Sequence, residues 1–346
     1  MKNDFFEKKT LYGLSLCFII AIPAWLLGTR FPIIGGPVFG ILFGIIISAL
    51  WRRPDKLDKG VKFTSKYILQ YSIILLGFEM NLFNVIKVGG QSLMVMIFTL
   101  SSSFITAYFV GKAMKIEGST VTLIGVGTSI CGGSAIAATA PVIRAKDEDV
   151  AQAISTIFLF NIIAVFIFPP LGHMLGLSDT GFGMWAGTAI NDTSSVVAAG
   201  ASWSSAAGNN TALAFATIVK LTRTLMIVPI TLVLAVYTTR KISRSQAAGD
   251  GSSDGNFSIA KIFPWFVLGF VAAAILNTFL PIPLNVSETL VKIGKFMIIM
   301  AMTAIGLNTN LKRLLTNGLK PILLGLCCWF VVAVVSLLVQ HFIGML

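Results

Sequence analysis

The sequence predicts an all-helical, polytopic membrane protein, and three observations support this prediction. Of its 346 residues, 55% are hydrophobic and only 12% are charged, with a mean hydropathy of +0.87, whereas average soluble domains carry about 25% charged residues. Apolar runs of about 20 residues, the length that lets a helix cross ~30 Å of hydrocarbon, recur along the chain. Parts of the chain also match each other in opposite predicted orientations. We therefore expect a helix bundle of about 11 segments, two of them interrupted or re-entrant, with inverted structural repeats.

The predicted segments are joined by short connections, with one exception. The stretch TTRKISRSQAAGDGSSDGNFSIAK is long, polar and rich in Gly, Ser and Asp, which is typical of a flexible linker. It is predicted to lie in the cytoplasm over 239–260 and to separate an N-terminal transmembrane part, 1–238, from a C-terminal transmembrane part, 261–346. The apolar segments are 11–28, 33–50, 63–83, 91–111, 121–143, 151–172, 183–203, 211–238, 262–280, 289–309 and 321–344.

The positions of Lys and Arg predict the orientation of the chain. If every segment crosses, one side collects 17 of these cations and the other holds only Arg30, Lys87, Arg144 and Lys146. Because cytoplasmic connections carry the excess of Lys and Arg, we expect the N-terminus in the cytoplasm and the C-terminus outside the bacterial cytoplasmic membrane. No small-x-small cleavage site follows the first apolar run, LYGLSLCFIIAIPAWLLG, so we interpret it as an uncleaved span.

Composition argues against several other classes of function. The net charge is +12, but no basic cluster is interleaved with aromatic residues, so nucleic acid is not an expected partner. The four cysteines lie in apolar segments and the two histidines are far apart, so neither a metal site nor a cofactor is predicted. The sequence offers neither a nucleophile–base pair nor a pair of acidic residues that would indicate an enzyme.

An internal repeat links the two parts of the chain. KYILQYSIILLGFEMNLFNVIKVGG, residues 66–90, matches KFMIIMAMTAIGLNTNLKRLLTNGL, residues 295–319, with Lys66 opposite Lys295 and Gly77 opposite Gly306. The segment 261–346 is therefore predicted to repeat 62–112 in inverted orientation, as in many secondary transporters.

Two Gly/Ser/Thr-rich stretches interrupt segments at membrane depth. They are GTSICGGSAIAA, residues 127–138, and GTAINDTSSVVAA, residues 187–199. Non-helical backbone at this depth is tolerated only where it is buried in protein or lines a wet cavity, and paired interruptions indicate a transporter's binding site. The alternative for the first stretch is close helix packing through small residues. The substrate-binding residues predicted here are Ser129, Cys131, Gly132, Gly133, Ser134, Asn191, Thr193 and Ser194.

The glycines of the first stretch suggest how it would bind. Gly132 and Gly133 can adopt positive φ, and successive backbone N–H groups then form an anion-binding concavity. A half-helix that begins at Ser134 would direct its positive end to the same place.

Two cations stand in the middle of an apolar run. In ATIVKLTRTLMIVP, Lys220 and Arg223 are three residues apart and share one helix face. A cation at the bilayer centre costs about 2.5–3.5 kcal/mol, so we predict that this pair binds the substrate anion. The alternative is a structural pair neutralised by backbone carbonyls and one acid.

Few polar groups within the apolar segments could couple transport to an ion. Asp192 lies inside an interruption, and a carboxylate beside a buried Lys is suited to proton coupling. Glu79 is a second candidate, with a solvated cap near the outer mouth as the alternative. Asn161 is a third, with an interhelical hydrogen bond as its alternative.

Whether the interrupted segments cross is left open. With eleven crossings they run parallel, whereas inverted repeats require them to be antiparallel. Both could instead be re-entrant, which moves Arg144 and Lys146 to the cytoplasmic side. Against this, each segment is long enough to cross, and related antiporters use interrupted helices that do cross. We therefore expect eleven helical segments in total and leave the topology of the two interrupted ones open.

Four blocks of sequence resemble a known family. CGGSAIAATAPVI, FPPLGHMLGLS, FGMWAGTAINDTSSVVAAG and ATIVKLTRTLMIVP occur in this order and resemble the YeiH family of bacterial inner-membrane proteins, described as sulfate exporters. The resemblance covers nearly the whole chain. Asn191 stands where that family is expected to have His, and Ser195 where Gln is common. If that His carries a proton in the family, this chain must couple transport differently or use Asp192.

A more distant resemblance concerns the fold. LLGFEMNL and FLFN are similar to core helices of cation/proton antiporters, in which interrupted helices cross beside an acidic residue. Asn161 stands where an antiporter's ion-binding Asp is expected, which argues against simple cation exchange.

The sequence therefore predicts a secondary transporter that exports or exchanges a small anion, with a sulfate-like oxyanion as the first choice. H⁺ or Na⁺ is the expected coupling ion, the lipid bilayer is the surrounding partner, and a homodimer is left open. One alternative is a Na⁺/H⁺-type antiporter in which Lys220 competes with a cation for Asp192. A gated anion channel is an alternative of another class.

Overall fold

A computed structural model describes residues 8–31, 35–51, 53–227, 229–231, 233–234, 265–309 and 318–345. Every element in these ranges is helical. The helices are α1 Lys8–Arg30, α2 Gly36–Leu50, α3 Asp55–Phe63, α4 Leu69–Leu76, α5 Leu82–Ala113, α6 Gly118–Ser129, α7 Gly133–Thr139, α8 Asp147–Met174, α9 Asp179–Ala189, α10 Thr193–Ala207, α11 Thr211–Leu225, α12 Trp265–Phe279, α13 Leu284–Asn308 and α14 Leu319–Phe342.

The chain is a polytopic membrane bundle, as predicted. Among the described residues, six helical stretches are long and apolar enough to cross a membrane. They are α1, α5, α8, α13, α14 and the stretch Thr211–Thr231, which begins with α11. α2 and α12 are shorter apolar helices. A π-helical turn, Thr64–Ile68, joins α3 to α4, and a 3-10 turn, Gly77–Glu79, extends α4, so these pieces form one continuous helical rod.

The helices form two bundles. α1, α2, α3, α4, α12 and α13 pack mainly on one another, and we call them the scaffold bundle; α5 to α11 together with α14 form the core bundle. Within the scaffold, α2 approaches α13 so closely that a Cβ on Gly44 would clash with the backbone of Thr303 and Gly306. The boundary between the bundles is formed where α10 packs on α2 and α13, and where α5 packs on α12.

The first interrupted segment folds back on itself. Lys146 Nζ, after α7, lies 3.0 Å from Glu117 Oε1, before α6, and this hydrogen bond raises the pKa of the Lys146 ammonium. The hydroxyls of Ser119 and Thr120 on α6 each donate, at 2.7 Å, to the Asp149 carboxylate at the start of α8. Both ends of the segment therefore lie at one face, and we call α6–α7 hairpin 1.

The second interrupted segment does the same. Trp203 Nε1, near the end of the second arm, and Asn209 Nδ2, just after it, donate to the carboxylate of Asp179 at the start of α9, at 2.7 and 2.8 Å. We call α9–α10 hairpin 2. Of the two topologies that the sequence left open, the structure therefore has the re-entrant one. The first arms, of 12 and 11 residues, reach only about 16–18 Å at 1.5 Å per residue, which is roughly mid-depth.

The hairpins enter from opposite faces, because the single crossing helix α8 separates them. The face of hairpin 1 holds Lys112, Lys115, Glu117, Arg144 and Lys146 around the ends of α5 to α8, and we call it the basic face. The face of hairpin 2 is the opposite face.

The matched segments 66–90 and 295–319 run in opposite directions where they are described. α3 begins and α13 ends at the basic face, where Arg53 Nη2 donates to Asn308 Oδ1 at 2.7 Å. The predicted linker, 239–260, and residues 310–317 lie outside the described residues, so the division of the chain at this linker stays a prediction.

Candidate functional site

The tips of the two hairpins meet beside Lys220 and Arg223. Lys220 Nζ donates to the carbonyl oxygens of Ile130, at 2.8 Å, and Ile190, at 3.1 Å. One carbonyl belongs to the tip of hairpin 1 and the other to the tip of hairpin 2. The ammonium therefore links the two interruptions.

The guanidinium of Arg223 makes the same link one turn further along α11. Its Nε donates to the carbonyl of Ser129 at 2.6 Å, its Nη2 donates to Thr128, and its Nη1 donates to Thr188 and, at 3.4 Å, to Ile190. Both cations are fully buried.

These contacts have a simple electrostatic reason. α6 and α9 end at the tips, and the last carbonyls of a helix carry unsatisfied acceptors and about half a negative charge. Lys220 and Arg223 satisfy those carbonyls on both helices. The two cations thus have the backbone partners of the structural alternative stated above, and binding of the substrate anion by this pair stays a prediction.

The second arms of the hairpins face a cavity of about 350 Å³. It lies between the two bundles, in the half of the molecule toward the basic face. The predicted residues among its lining are Gly133, Ser134, Asn161, Asp192, Thr193 and Ser194. Six predicted residues from two hairpins and α8 thus come together at one wall.

Asp192 organises this wall. Its carboxylate caps α10 by accepting from the Ser194 backbone N–H at 3.1 Å, and it also accepts from the Ser194 hydroxyl. Its own backbone N–H donates to Asn161 Oδ1 at 3.1 Å. Asn161 therefore makes the interhelical hydrogen bond that was its alternative role, and it does so to the candidate coupling residue.

Gly132 brings hairpin 1 against these residues. Its φ of +70° and ψ of −131° lie in a region that is essentially restricted to glycine. A Cβ at this position would be 3.5 Å from Asp192 Cβ and 3.6 Å from Asn161 Nδ2. α7 begins at the next residue without a side-chain cap from Gly132, and its first two residues, Gly133 and Ser134, line the cavity.

The remaining predicted residues lie elsewhere. Ser129, Cys131 and Asn191 are buried in the tips and do not line the cavity. Neither polar atom of the Asn191 side chain has a hydrogen-bond partner among the described residues. Glu79 is far from the tips, at the opposite face, where it accepts from Asn210 Nδ2.

The cavity also contains residues that the sequence did not single out as a site. Lys66 and Gln70 line it from the scaffold rod, and Asn308 lines it from the end of α13. The internal repeat carried a signal for Lys66, because it matched this residue to Lys295, but only the fold places Lys66 opposite the hairpins.

Comparisons with known proteins agree with this architecture. A model of the family described as Conserved hypothetical protein 698 matches residues 12–325. The chain is 51% identical over 349 residues to a UPF0324 membrane protein of Fusobacterium nucleatum, covering 96% of this chain and 98% of that protein. The chain belongs to the UPF0324 membrane protein family. It is also 53% identical over 340 residues to the family member of Streptococcus agalactiae, covering 97% and 98%.

Membership of the UPF0324 family confirms the resemblance to YeiH that was based on the four sequence blocks. The names of these relatives state that they are membrane proteins.

Proposed function

We propose that this UPF0324 protein is a secondary active transporter of a small anion in the bacterial cytoplasmic membrane, with a sulfate-like oxyanion as its substrate. One observation carries the proposal: two re-entrant hairpins from opposite faces meet at mid-depth beside a polar cavity between two bundles. Irregular backbone at this depth is typical of transporter binding sites. Alternating access would follow from movement of the core bundle against the scaffold bundle.

The orientation follows from the charges. With hairpin 1 re-entrant, Arg144 and Lys146 join Lys112 and Lys115 at the basic face. The positive-inside rule then assigns the basic face to the cytoplasm. The cavity beside the hairpins consequently opens toward the cytoplasm, which suits an exporter waiting for its substrate.

The charge balance at the tips favours an anion. Each hairpin brings one helix C-terminus of about −0.5 and one N-terminus of about +0.5, so the helix ends roughly cancel. Lys220, Arg223 and Asp192 then leave about one positive charge, and Lys66 adds another across the cavity. The hydroxyls of Ser134 and Thr193 can donate to an oxyanion. At about 350 Å³, the cavity lies at the small end of ligand pockets.

Asp192 is the proposed coupling residue. Its carboxylate lines the cavity, so an anion beside it is repelled while the carboxylate is ionised and is admitted once a proton or Na⁺ neutralises it. Sulfate that leaves with one proton still carries one negative charge outward. The inside-negative membrane potential favours this movement by about 2.3 kcal/mol per charge per 100 mV.

In this proposal, Lys220 and Arg223 act on the substrate indirectly, without contacting it. By holding the C-terminal ends of α6 and α9 together, they fix the tips, while the N-terminal ends of α7 and α10 stay directed to the cavity. They also supply the positive potential that an anion experiences there.

The test is transport by the purified protein in liposomes. We expect saturable uptake of radiolabelled sulfate, sulfite or an organic anion that responds to imposed pH or Na⁺ gradients. Ser134→Ala and Thr193→Val should raise the half-saturation concentration, and Thr122→Val, at a half-buried position on α6 outside both cavities, is the matched control. Flux without saturation or coupling would instead indicate an anion channel, and Na⁺/H⁺ exchange without anion flux would indicate the antiporter alternative.

A further inference from the structure

A second cavity, of about 870 Å³, lies on the opposite face. It is also placed between the two bundles, and its polar lining includes Ser204, Asn209 and Asn210 of the core and Lys292 and Lys295 of the scaffold. It ends at Ala201, which is eight residues from Thr193 and so about 12 Å from the hairpin tip.

Apolar packing separates this cavity from the tips. Val197 and Ala198 on α10 pack in one buried cluster with Val38 on α2 and with Ile298 and Met302 on α13, and none of them is more than 4% exposed. We call these residues the plug. The cavity at the basic face reaches the tips, whereas the cavity at the opposite face stops at the plug.

A hydrogen-bond chain joins the bundles on the closed side. Asn210, between α10 and α11 of the core, donates to the Glu79 carboxylate and accepts from the Lys295 ammonium. Glu79 and Lys295 both belong to the scaffold. Each bond therefore involves a charged partner, and hydrogen bonds of this kind contribute more than neutral ones.

The internal repeat relates this chain of residues to the open cavity. The offset that matches Lys66 to Lys295 also matches Glu79 to Asn308. Lys66 and Asn308 line the open cavity. Asn308 is bonded to Arg53 and Ser65 of its own bundle, and the Lys66 ammonium lies 5.3 Å from the Tyr67 ring. On the closed side, Glu79 and Lys295 are bonded across the two bundles through Asn210. Within the described residues, their repeat equivalents Asn308 and Lys66 make no such bond between the bundles on the open side.

We propose that the opposite-face cavity is the second half of the substrate path, that Lys295 is its anion-binding cation, and that Glu79–Asn210–Lys295 is a latch that holds this half shut. Lys66 serves the cavity at the basic face as Lys295 serves the cavity at the opposite face. This inference rests on the proposed transport function and adds to it the residues that serve each side.

The latch is tested by labelling, which requires no transport. Ala198→Cys is introduced into the plug in a cysteine-free background, and an impermeant maleimide is applied to right-side-out and inverted vesicles. Glu79→Gln should raise the labelling rate from the opposite face about tenfold, which is the effect of one lost hydrogen bond to a charged group, and Asn210→Ala, which removes both bonds of the latch, should raise it at least as much. Glu288→Gln is the control, because this exposed carboxylate pairs only with Lys292 of its own helix among the described residues.

Sided kinetics test the lysines. Lys295→Gln should raise the half-saturation concentration for sulfate applied at the opposite face, and Lys66→Gln should do so at the basic face; Lys87→Gln, an exposed cation outside both cavities, should do neither. Unchanged labelling in both latch variants, or lysine variants that act equally from both faces, overturns the inference. Faster labelling in a protein without sulfate flux supports the latch and refutes the substrate instead.

Discussion

Replacing Arg223 by Met tests whether the buried cations hold the hairpin tips or bind the substrate. The guanidinium donates to carbonyls of both hairpins, and Arg223→Met removes these bonds while keeping an unbranched side chain. Ile190 keeps Lys220 as a partner, whereas the carbonyls of Thr128, Ser129 and Thr188 lose their bond to Arg223.

The expected size of the effect follows from this count. A buried acceptor left without a partner costs about 1–3 kcal/mol, so three carbonyls cost about 3 kcal/mol at the lower end. Removal of the buried charge returns part of its desolvation penalty, which keeps the estimate at that lower end. Since 1.4 kcal/mol is a tenfold change, the unfolding equilibrium should shift roughly 100-fold toward the unfolded protein.

The assay is unfolding of the purified protein in mixed micelles with increasing SDS, followed by tryptophan fluorescence. Trp185 and Trp203 are buried in the core bundle and report on its packing. Arg223→Lys, which keeps the charge but has fewer donors, should be intermediate, and Lys87→Met controls for the loss of an exposed cation. If Arg223→Met unfolds like the parent protein but no longer transports sulfate, the cation binds substrate and our account of its role is refuted.

Three further predictions concern the hairpins. Gly132→Ala should destabilise the protein by about 1–3 kcal/mol, because its φ of +70° is strained for any side chain, whereas Gly133→Ala, with open space around its Cβ position, should be tolerated in the same unfolding assay. Asp192→Asn should remove the dependence of anion flux on the coupling gradient, and a variant that keeps the parent's pH and Na⁺ response would exclude Asp192 as the coupling residue. In a cysteine-free background, Cys at Ala145 should react with an impermeant maleimide only after permeabilisation and Cys at Asn209 in intact cells; labelling of both from outside would contradict the re-entrant topology.

Much of the fold could be predicted from the sequence. The thickness of the hydrocarbon core fixes the length of a spanning helix, and charged side chains are largely excluded from that core. The two interruptions could be recognised for a related reason. Gly, Ser and Thr at membrane depth mark backbone that leaves the helix, and the described structure breaks the helices at Gly132 and Asp192, inside the two stretches named.

The direction of the hairpins could not be decided in this way. A segment such as 121–143 has enough apolar residues to cross, and the arms of a hairpin buried among other helices need the same apolar composition. What distinguishes the two topologies is a long-range contact, the ion pair of Glu117 with Lys146. The clue in the sequence was the unfavourable position of Arg144 and Lys146 if the segment crossed.

The hydrogen-bond partners of Lys220 and Arg223 could not be predicted from the sequence either, because they are backbone carbonyls, which every residue has. An isolated cation in the bilayer centre suggests a missing anion, and a substrate is the natural candidate. In the fold, the anionic partner is supplied by the ends of two helices, each with the partial charge of its last turn. Thr128 and Thr188, whose carbonyls bind Arg223, are ordinary residues in the sequence.

Because of where Lys220 and Arg223 lie, the two broken helix ends in each hairpin tip have different partners. A broken helix at mid-depth presents one carbonyl end and one N–H end, and both need partners in the absence of water. Here the carbonyl ends are permanently satisfied by two cations that never leave the protein, at an insertion cost of about 2.5–3.5 kcal/mol each. The N–H ends, at Gly133 and Thr193, line the cavity, and in the proposed function they face the anion that comes and goes. In the reverse arrangement, fixed acidic side chains would bind the N–H ends and the carbonyl ends would be left for a transported cation. Asp192 is an acid of this kind, because its carboxylate caps the N–H end of α10. It is therefore the place where a coupling ion would act.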